Sequence, residues 1–500
     1  MGIVIKNSAI NTFLSYIGVV IGYINVAYLF PKFLPPEELG LRAVIVEFSV
    51  LFSQISMVGF MGVIVQFFPY FKNDNNKHNG FLFLIIAIPS LVFCFLAVFF
   101  FFFKDYILSG HNPNTPDLLL AKYGWLIIPI GFCMLITNLL ETYLTNFFKN
   151  IFSNFLKEVF VRGLTLILLL LLIYNILNTS LFWYGFTFIY VICLLLLIVY
   201  IKKIGQLHLT PDFSFITKKR LKDISLFAVF SWLSVAGSLI VLKVDIVMLT
   251  RMTDLKNIGI YSLAVYITVI IDIPRRLIAQ TIIPVLTEAS KNNDFKQIDS
   301  IYKKTSVNQF IIGTILFLLI WVNIDDIFSF IPKNNIYIQG KYVILFLGLA
   351  KVFDLGTGVN NEIINYSKHY KMGLVLLLVL AVLNIILNYF LIPIYGIKGA
   401  ALATMISIII YNTIKFFFIK AKFNIQPFTK NTFIIIGLAI LAWAITLIIP
   451  QLPYHFINII IKSAIVGVVF ILPVLIFNIS SELSHIFYKI LENIKMRLKK

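Results

Sequence analysis

Long apolar stretches separated by short polar segments recur along the whole chain, and each stretch is about 18 to 27 residues long. An α-helix rises ~1.5 Å per residue, so stretches of this length match the ~30 Å hydrocarbon layer of a membrane. The roughly ten-residue alternating segments typical of an outer-membrane barrel are not found in the sequence. The pattern predicts fourteen transmembrane helices, at residues 10–30, 43–68, 80–103, 122–147, 155–175, 181–201, 224–249, 258–287, 305–323, 339–365, 373–392, 397–419, 431–449 and 456–478.

Composition leads to the same fold class. Hydrophobic residues make up 60% of the 500-residue chain and charged residues 13%, which is too little polar surface to cover a water-soluble globule. The three cysteines lie inside apolar runs and the six histidines are unclustered, so neither a metal site nor any cofactor is predicted. We therefore expect an all-α integral membrane protein, whose first apolar run is a retained helix because no cleavage signature follows it.

The distribution of basic residues predicts the orientation. Most of the 41 Lys and Arg residues fall on one side of the predicted spans, which places both termini in the cytoplasm. This asymmetry accounts for most of the net charge of +19, so no nucleic-acid partner is implied. Residues 480–500 place apolar and basic side chains on opposite helical faces and are expected to lie along the membrane lipids on the cytoplasmic side.

The chain also contains an internal duplication with a constant displacement of 219 residues. Ser15 pairs with Ser234, and Gly40 with Gly259, at equivalent places in the span map. Six helices repeated in the same orientation predict two lobes related by a pseudo-two-fold axis along the membrane normal, an arrangement typical of alternating-access transporters. The predicted domains are the N-lobe at 1–205, a linker at 206–223, the C-lobe at 224–421, two additional helices at 422–479, and the tail at 480–500.

Three charges interrupt the eighth predicted span, in the stretch "VIIDIPRRLIAQ". Asp272, Arg275 and Arg276 lie near its centre, where one charge costs about 2.5 to 3.5 kcal/mol, and such residues usually face a protein interior or a wet cavity. The spacing places all three on one helical face, so one carboxylate offsets one guanidinium and a positive charge is left over. The first repeat has Ser53 and Ser56 at the places of Asp272 and Arg275, so the fold itself does not require charge there.

Two further spans of the second repeat carry charge: Lys351 and Asp354 in helix 10, and Lys243 and Asp245 in helix 7. Because guanidinium and ammonium groups bind phosphate oxygens strongly, we expect an anionic, phosphate-bearing substrate. Two other interpretations stay open, namely an ion-paired patch that fixes packing, and snorkelling of Lys243 to the interface. The predicted substrate-binding residues are Arg275, Arg276, Lys351 and Lys243, and the predicted ion-coupling or charge-balancing residues are Asp272, Asp354, Asp245, Glu47 and Glu141.

Two segments resemble a known family. The stretch "NIILNYFLIPIYGIKGAALAT", residues 384–404, is similar to the helix 11 to helix 12 segment of Wzx-type polysaccharide flippases, which belong to the multidrug/oligosaccharidyl-lipid/polysaccharide exporter superfamily. The stretch "VDIVMLTRMTDLKNIGIYSLAVY" resembles that family's helix 7 to helix 8 segment, with Asp245 ahead of Gly259, Tyr261 and Ala264. The resemblance covers essentially the whole chain and implies a MATE-like fold of twelve repeated helices and two additional ones.

The resemblance also implies a function. Such proteins move undecaprenyl-pyrophosphate-linked oligosaccharide repeat units from the cytoplasmic to the periplasmic leaflet of the bacterial inner membrane, for O-antigen (lipopolysaccharide), capsule or exopolysaccharide assembly. Implied partners are the lipid-linked oligosaccharide, a polymerase and other assembly proteins, and no enzymatic activity is expected. The alternatives are a lipid II flippase, a multidrug exporter and a membrane polysaccharide polymerase. The first predicted helix has neither the arginines of the lipid II flippases nor the acid of the multidrug exporters, and the outer connections are short for a polymerase.

Overall fold

The computed structural model describes residues 2–73, 78–108, 117–212 and 217–485, and the regular structure of these residues is entirely helical. The predicted all-α membrane fold is therefore confirmed. Thirteen of the described helices are long and apolar enough to cross a membrane. The predicted span at 155–175 is also helical, but a π turn at Leu156–Phe160 divides it into shorter pieces. With that helix included, the predicted count of fourteen agrees with the structure. The part of the predicted tail from residue 486 onward lies outside the described residues.

The spanning helices are numbered here in chain order, and shorter helices are given by their residues. The first six are α1 (Gly2–Tyr23), α2 (Pro36–Ser56), α3 (Phe81–Leu108), α4 (Ile127–Thr145), α5 (Val161–Ile173) and α6 (Thr179–Lys203). Then follow α7 (Lys218–Met252), α8a (Leu255–Thr268), α8b (Ile273–Lys291), α9 (Phe295–Val322), α10 (Lys341–Gly356), α11 (Tyr370–Tyr395), α12 (Ile397–Phe423), α13 (Lys430–Ile448) and α14 (His455–Val466).

The chain divides into two compact units, Met1–Ser262 and Leu263–Lys500. The boundary lies within α8a, so α7 belongs to the first unit together with α1 to α6. The lobe boundaries expected from the duplication, with a linker at 206–223, stay a prediction.

In the first unit, α2 and α8a cross with their backbones in contact at Gly40 and Gly259. A Cβ atom on Gly40 would overlap the carbonyl oxygen of Leu255, and one on Gly259 would overlap the carbonyl oxygen of Pro36. Both glycines and both carbonyl residues are related by the displacement of 219 residues found in the sequence. The two repeats therefore meet here through equivalent atoms, and glycine allows the close approach.

In the second unit, α9 packs on α10 through large side chains that rest on glycines. Phe310 lies over Gly356, Phe317 over Gly348, and Leu355 over Gly313. The two helices that follow the duplication, α13 and α14, pack on the side of α9 through a separate buried cluster. The members of that cluster are Val307, Phe310, Ile311 and Leu318 with Ile435, Ala442, Val466, Phe470, Val474 and Ile479.

A left-handed glycine or a proline accompanies a break in three of the predicted spans. The span 43–68 breaks after Ser56, turns through Gly59 at φ 75° and resumes at Phe60–Phe71. The span 339–365 breaks after Gly356, turns through Gly358 at φ 62° and resumes at Asn360–Asn365. Glycine adopts these left-handed conformations without a steric cost, and other residues rarely do. In the span 258–287, a 3-10 turn at Val269–Asp272 precedes Pro274, which cannot donate the backbone hydrogen bond of a continuous helix.

Candidate functional site

The break in helix 8 sets the position of the charged residues at its centre. Asp272 ends the 3-10 turn and is the N-cap residue of α8b, and Pro274 occupies the first turn of that helix. Proline suits this position because the first helical N–H groups have no intrahelical acceptor. The interruption therefore lies within the charged stretch, and Arg275 follows it directly.

The second pair of charges lies on α10, which contacts the 3-10 turn. Lys351 and Asp354 are three residues apart on this helix and therefore share one face. Both side chains are largely buried, each with a relative exposure of 16%. Lys351 and Asp354 thus lie within reach of the charges that follow α8a.

The described ion pairs of helices 8 and 10 join the two helices to each other. Arg275 on α8b donates from Nη1 to Oδ2 of Asp354 on α10. Lys351 on α10 donates to Oδ2 of Asp272 at 2.5 Å. Each pair joins residues 79 positions apart in the chain. The sequence predicted that Asp272 would offset one guanidinium of its own helix. That guanidinium is not Arg275, whose partner lies on the neighbouring helix, and Asp272 instead accepts from Lys351.

A third helix, α12, completes the surroundings of Asp354. Asn412 donates from Nδ2 to Oδ1 of Asp354 at 2.9 Å, so both carboxylate oxygens are hydrogen-bonded. The Oδ1 atom of Asn412 accepts in turn from Asn360 at 2.9 Å and from Thr357 at 3.2 Å. This network connects α8b, α10, the short helix Asn360–Asn365 and α12. A buried polar network in which the members satisfy one another holds its residues in fixed positions.

Lys415 is a further cation of this cluster, one that the sequence analysis did not single out. Its side chain is buried at 1% relative exposure, and its ammonium group donates to Oδ1 of Asn360 at 2.9 Å. The ammonium nitrogen also lies 4.0 Å from the ring centroid of Tyr411, a cation–π contact. A signal was present in the sequence, because Asn412 and Lys415 interrupt the apolar run of helix 12 at a spacing of three.

Glu362, on the short helix Asn360–Asn365, supplies an additional negative charge. It interacts electrostatically with both Arg275 and Lys415. Its Oε2 atom is buried and has no hydrogen-bond partner among the described residues. Glu362 also lines a small cavity together with Ser290 and Tyr366.

Among the described side chains of this cluster, the number of positive charges equals the number of negative charges. They are Arg275, Lys351 and Lys415 against Asp272, Asp354 and Glu362. The predicted surplus of positive charge therefore depends on Arg276. The side chain of Arg276 lies outside the described residues, although its backbone is part of α8b.

The other predicted site residues belong to the first unit, where they also have partners. Lys243 on α7 pairs with Glu47 on α2, so Lys243 does not extend alone to the membrane interface. Asp245 is buried at 8% relative exposure and accepts a hydrogen bond from the Tyr261 hydroxyl at 2.6 Å.

The remaining predicted acid of the first unit is Glu141 on α4. It pairs with Lys157 of the π turn at 3.3 Å, and Lys157 also donates to Asn138 at 3.3 Å. The structure thus gathers Asp272, Arg275, Lys351 and Asp354 into one cluster of the second unit and places Lys243, Asp245, Glu47 and Glu141 in three separate contacts of the first unit.

One protein family matches a long continuous part of the chain. The family described as polysaccharide biosynthesis protein matches residues 4–290, which is more than half of the 500 residues. A second family, MatE, matches residues 231–390, a range that contains the charged cluster except for Asn412 and Lys415.

One related protein of assigned role is the probable low-salt glycan biosynthesis flippase Agl15 of Haloferax volcanii. The two sequences are 24% identical over 189 residues, which make up 38% of this chain and 40% of the relative. The match therefore spans less than half of the relative's length.

Two solved structures show the same fold. A lipid II flippase MurJ in an inward closed conformation matches with a TM-score of 0.75 and 17% identity, covering 95% of this chain and 99% of that one. An inward-facing multidrug resistance MATE family transporter of the MOP superfamily matches with a TM-score of 0.64 and 14% identity, covering 82% of this chain and 94% of that one. At these identities the likeness establishes the fold, which agrees with the predicted MATE-like architecture, and does not extend to the substrate.

Proposed function

This chain belongs to the polysaccharide biosynthesis protein family, and we propose that it is a flippase for a lipid-linked oligosaccharide. The cargo is a repeat unit attached to undecaprenyl pyrophosphate, and the transport direction is from the cytoplasmic to the periplasmic leaflet of a bacterial inner membrane. Transport is not enzymatic. The product enters O-antigen, capsule or exopolysaccharide assembly, where a polymerase is the expected partner.

The observation that carries this proposal is the position of Arg275. Its guanidinium group lies within a membrane-spanning segment, where a charged side chain is costly and usually has a functional reason. One part of a lipid-linked oligosaccharide is strongly anionic, namely the pyrophosphate, and guanidinium groups bind phosphate oxygens with two parallel hydrogen bonds. Arg275 is therefore the principal pyrophosphate ligand in this proposal.

Binding requires Arg275 to exchange one anionic partner for another. In the conformation described, Arg275 holds Asp354, and Lys351 holds Asp272. The side chain of Arg275 has a relative exposure of 31%, so it is not fully enclosed by protein. Arg276, next to it in α8b, supplies a second guanidinium, and Lys351 a further cation. Asp354 and Asp272 act as counter-charges that hold these cations in place in the absence of cargo.

The membrane potential provides a driving force. Outward movement of two negative charges follows an inside-negative potential and is worth about 2 × 2.3 kcal/mol per 100 mV if both charges cross the whole field. The carboxylates at Asp245, Glu47 and Glu141, with Asp272 and Asp354, are the positions at which a proton or sodium ion would be coupled. If flipping continued unchanged after the potential was collapsed with the pH gradient intact, the potential-driven mechanism would be wrong.

The test uses a strain that lacks the protein. We expect lipid-linked repeat units to accumulate on the cytoplasmic leaflet, and the wild-type protein to clear them. Arg275→Ala and Arg276→Ala should fail to clear them although they reach the membrane in normal amounts. Accumulation of peptidoglycan precursors would instead identify a lipid II flippase. A change in polymer length without lipid-linked intermediates would identify a polymerase.

A further inference from the structure

Lys415 is a buried cation of the second unit that is not among the proposed cargo ligands. It is buried at 1% relative exposure on α12, within a membrane-spanning segment. Its hydrogen-bond acceptor is a neutral amide oxygen, Oδ1 of Asn360, and among the described residues it forms no direct ion pair with a carboxylate. An ammonium group buried with neutral partners is unfavourable unless a nearby negative charge compensates it.

The hydrogen-bond network connects Lys415 to one carboxylate, that of Asp354. Asn360 accepts from Lys415 and donates to Asn412, and Asn412 donates to Asp354, each at 2.9 Å. Asn412 and Lys415 are one turn apart on α12. Lys415 and Asp354 also attract each other electrostatically. The ammonium is therefore linked to the carboxylate through the side chains of Asn360 and Asn412 without being its direct partner.

In the proposed mechanism, cargo binding removes the cation that is paired with Asp354. If Arg275 turns to a pyrophosphate, Asp354 loses its guanidinium and keeps the single hydrogen bond from Asn412. Removal of one partner from a buried ion pair leaves an uncompensated charge and is strongly unfavourable. Three described cations face Asp354, namely Arg275, Lys415 and Lys351, and Lys351 is held by Asp272. Of these three cations, Lys415 is the one that can compensate the charge of Asp354 after Arg275 has left.

We propose that Lys415 is a positioning residue that serves as the replacement counter-ion of Asp354 and so allows Arg275 to leave Asp354 and bind the anionic cargo. The inference rests on the proposed function for the identity of the cargo. The pairing of Lys415 with Asp354 does not depend on it, since any event that withdraws Arg275 has the same consequence.

The first experiment needs no cargo. Arg275→Gln imitates the withdrawn arginine, and thermal unfolding in lipid nanodiscs is measured for Arg275→Gln, for Lys415→Met and for the double variant. We expect the Tm of the double variant to fall by clearly more than the sum of the two single shifts, because Asp354 then has no cation. Adding Asp354→Asn to the double variant should restore most of the excess loss.

Additive shifts in this cycle would overturn the proposal. So would restoration by Glu362→Gln in place of Asp354→Asn, because Lys415 would then compensate Glu362. Lys415→Arg keeps the charge and should show little excess loss in the Arg275→Gln background, so a large excess loss with arginine would also contradict the assignment.

The second experiment uses farnesyl pyrophosphate as the probe and the full chain in nanodiscs. Lys415→Met should weaken probe binding at least fivefold, Lys415→Arg should retain most of the affinity, and Asp354→Asn should rescue Lys415→Met. Lys420→Met is the matched control, since Lys420 is exposed on the same helix and should leave affinity unchanged. Unchanged affinity in Lys415→Met would contradict the role in binding. If Arg275→Gln also left binding unchanged, the proposed function would fail, while the stability cycle would still decide the pairing.

Discussion

Arg275 takes its carboxylate partner from Asp354 on the neighbouring helix and not from Asp272, which lies three residues before it in the chain. This crossed pairing makes helix 8 and α10 mutually dependent, because each of them contributes one cation and one anion. Removal of either member of a pair leaves a charge within the membrane-spanning region without its partner.

Asp354→Ala is therefore expected to destabilise the protein. Breaking a buried ion pair costs about 3 to 5 kcal/mol, and the lower end applies here because the Arg275 side chain is 31% exposed. Thermal or denaturant unfolding in detergent measures the loss. Asp299→Ala breaks the more exposed pair with Lys303 and serves as the control, with an expected loss of under about 1 kcal/mol. Equal losses for the two variants would contradict the prediction.

The reciprocal contact of Gly40 and Gly259 predicts a strong effect of a single methyl group. Gly40→Ala and Gly259→Ala each drive a Cβ into a carbonyl of the crossing helix, and overpacking of this kind costs about 1 to 3 kcal/mol. Gly437→Ala is the matched control, because a Cβ there meets no atom within 4 Å and alanine favours the helix. The measurement is the free energy of unfolding of each variant. An unchanged value for Gly40→Ala would show that the helices do not cross this closely.

The contacts of Asp326 predict that the protein loses stability in acid. It lies on the short helix Ile324–Phe330 and accepts hydrogen bonds from Lys462 at 2.6 Å and His455 at 2.9 Å, which join this helix to α14. Burial alone would raise the pKa of Asp326, but the hydrogen bonds from Lys462, His455 and Asn458 outweigh it and hold the pKa below its usual value. The native state therefore binds the proton less readily than the unfolded state does.

The sign of the effect follows from that lowered pKa. The stabilisation is fully present above the unfolded pKa of about 3.9 and is lost as the pH falls from there through the folded pKa. Melting curves of the wild type and Asp326→Asn should differ by a constant amount above about pH 5 and converge in more acidic buffer. A difference that grew on acidification would contradict this assignment.

The hydrogen bond from Tyr261 to Asp245 predicts the effect of a single hydroxyl group. Tyr261→Phe removes the donor at 2.6 Å from a carboxylate with 8% relative exposure, and loss of a partner by a buried polar group costs about 1 to 3 kcal/mol. Tyr389→Phe, at a side chain with 62% relative exposure, is the control and should be nearly neutral. Comparable Tm values for the two variants would show that the hydrogen bond contributes little.

The fold class, the number and approximate position of the spans, and the duplication can all be inferred from the amino-acid sequence. A span of about 20 apolar residues is a local property of the chain, and inside a membrane a helix satisfies every backbone group within the segment. The displacement of 219 residues is equally visible in the sequence, and the contact of Gly40 with Gly259 gives it a physical meaning. The breaks at Gly59 and Gly358 were missed because glycine is also common inside transmembrane helices.

The pairing of the charges, by contrast, depends on how the helices pack. Spacing along helix 8 indicated that Asp272 and Arg275 share a face, but a salt bridge forms with whichever partner the neighbouring helix brings within reach. That partner lies 79 residues away, and Asn412 and Lys415 join the cluster from α12, still further along the chain. Residue types and local spacing identify which side chains need a partner in the membrane, whereas the packing of helices distant in sequence determines which partner each one obtains.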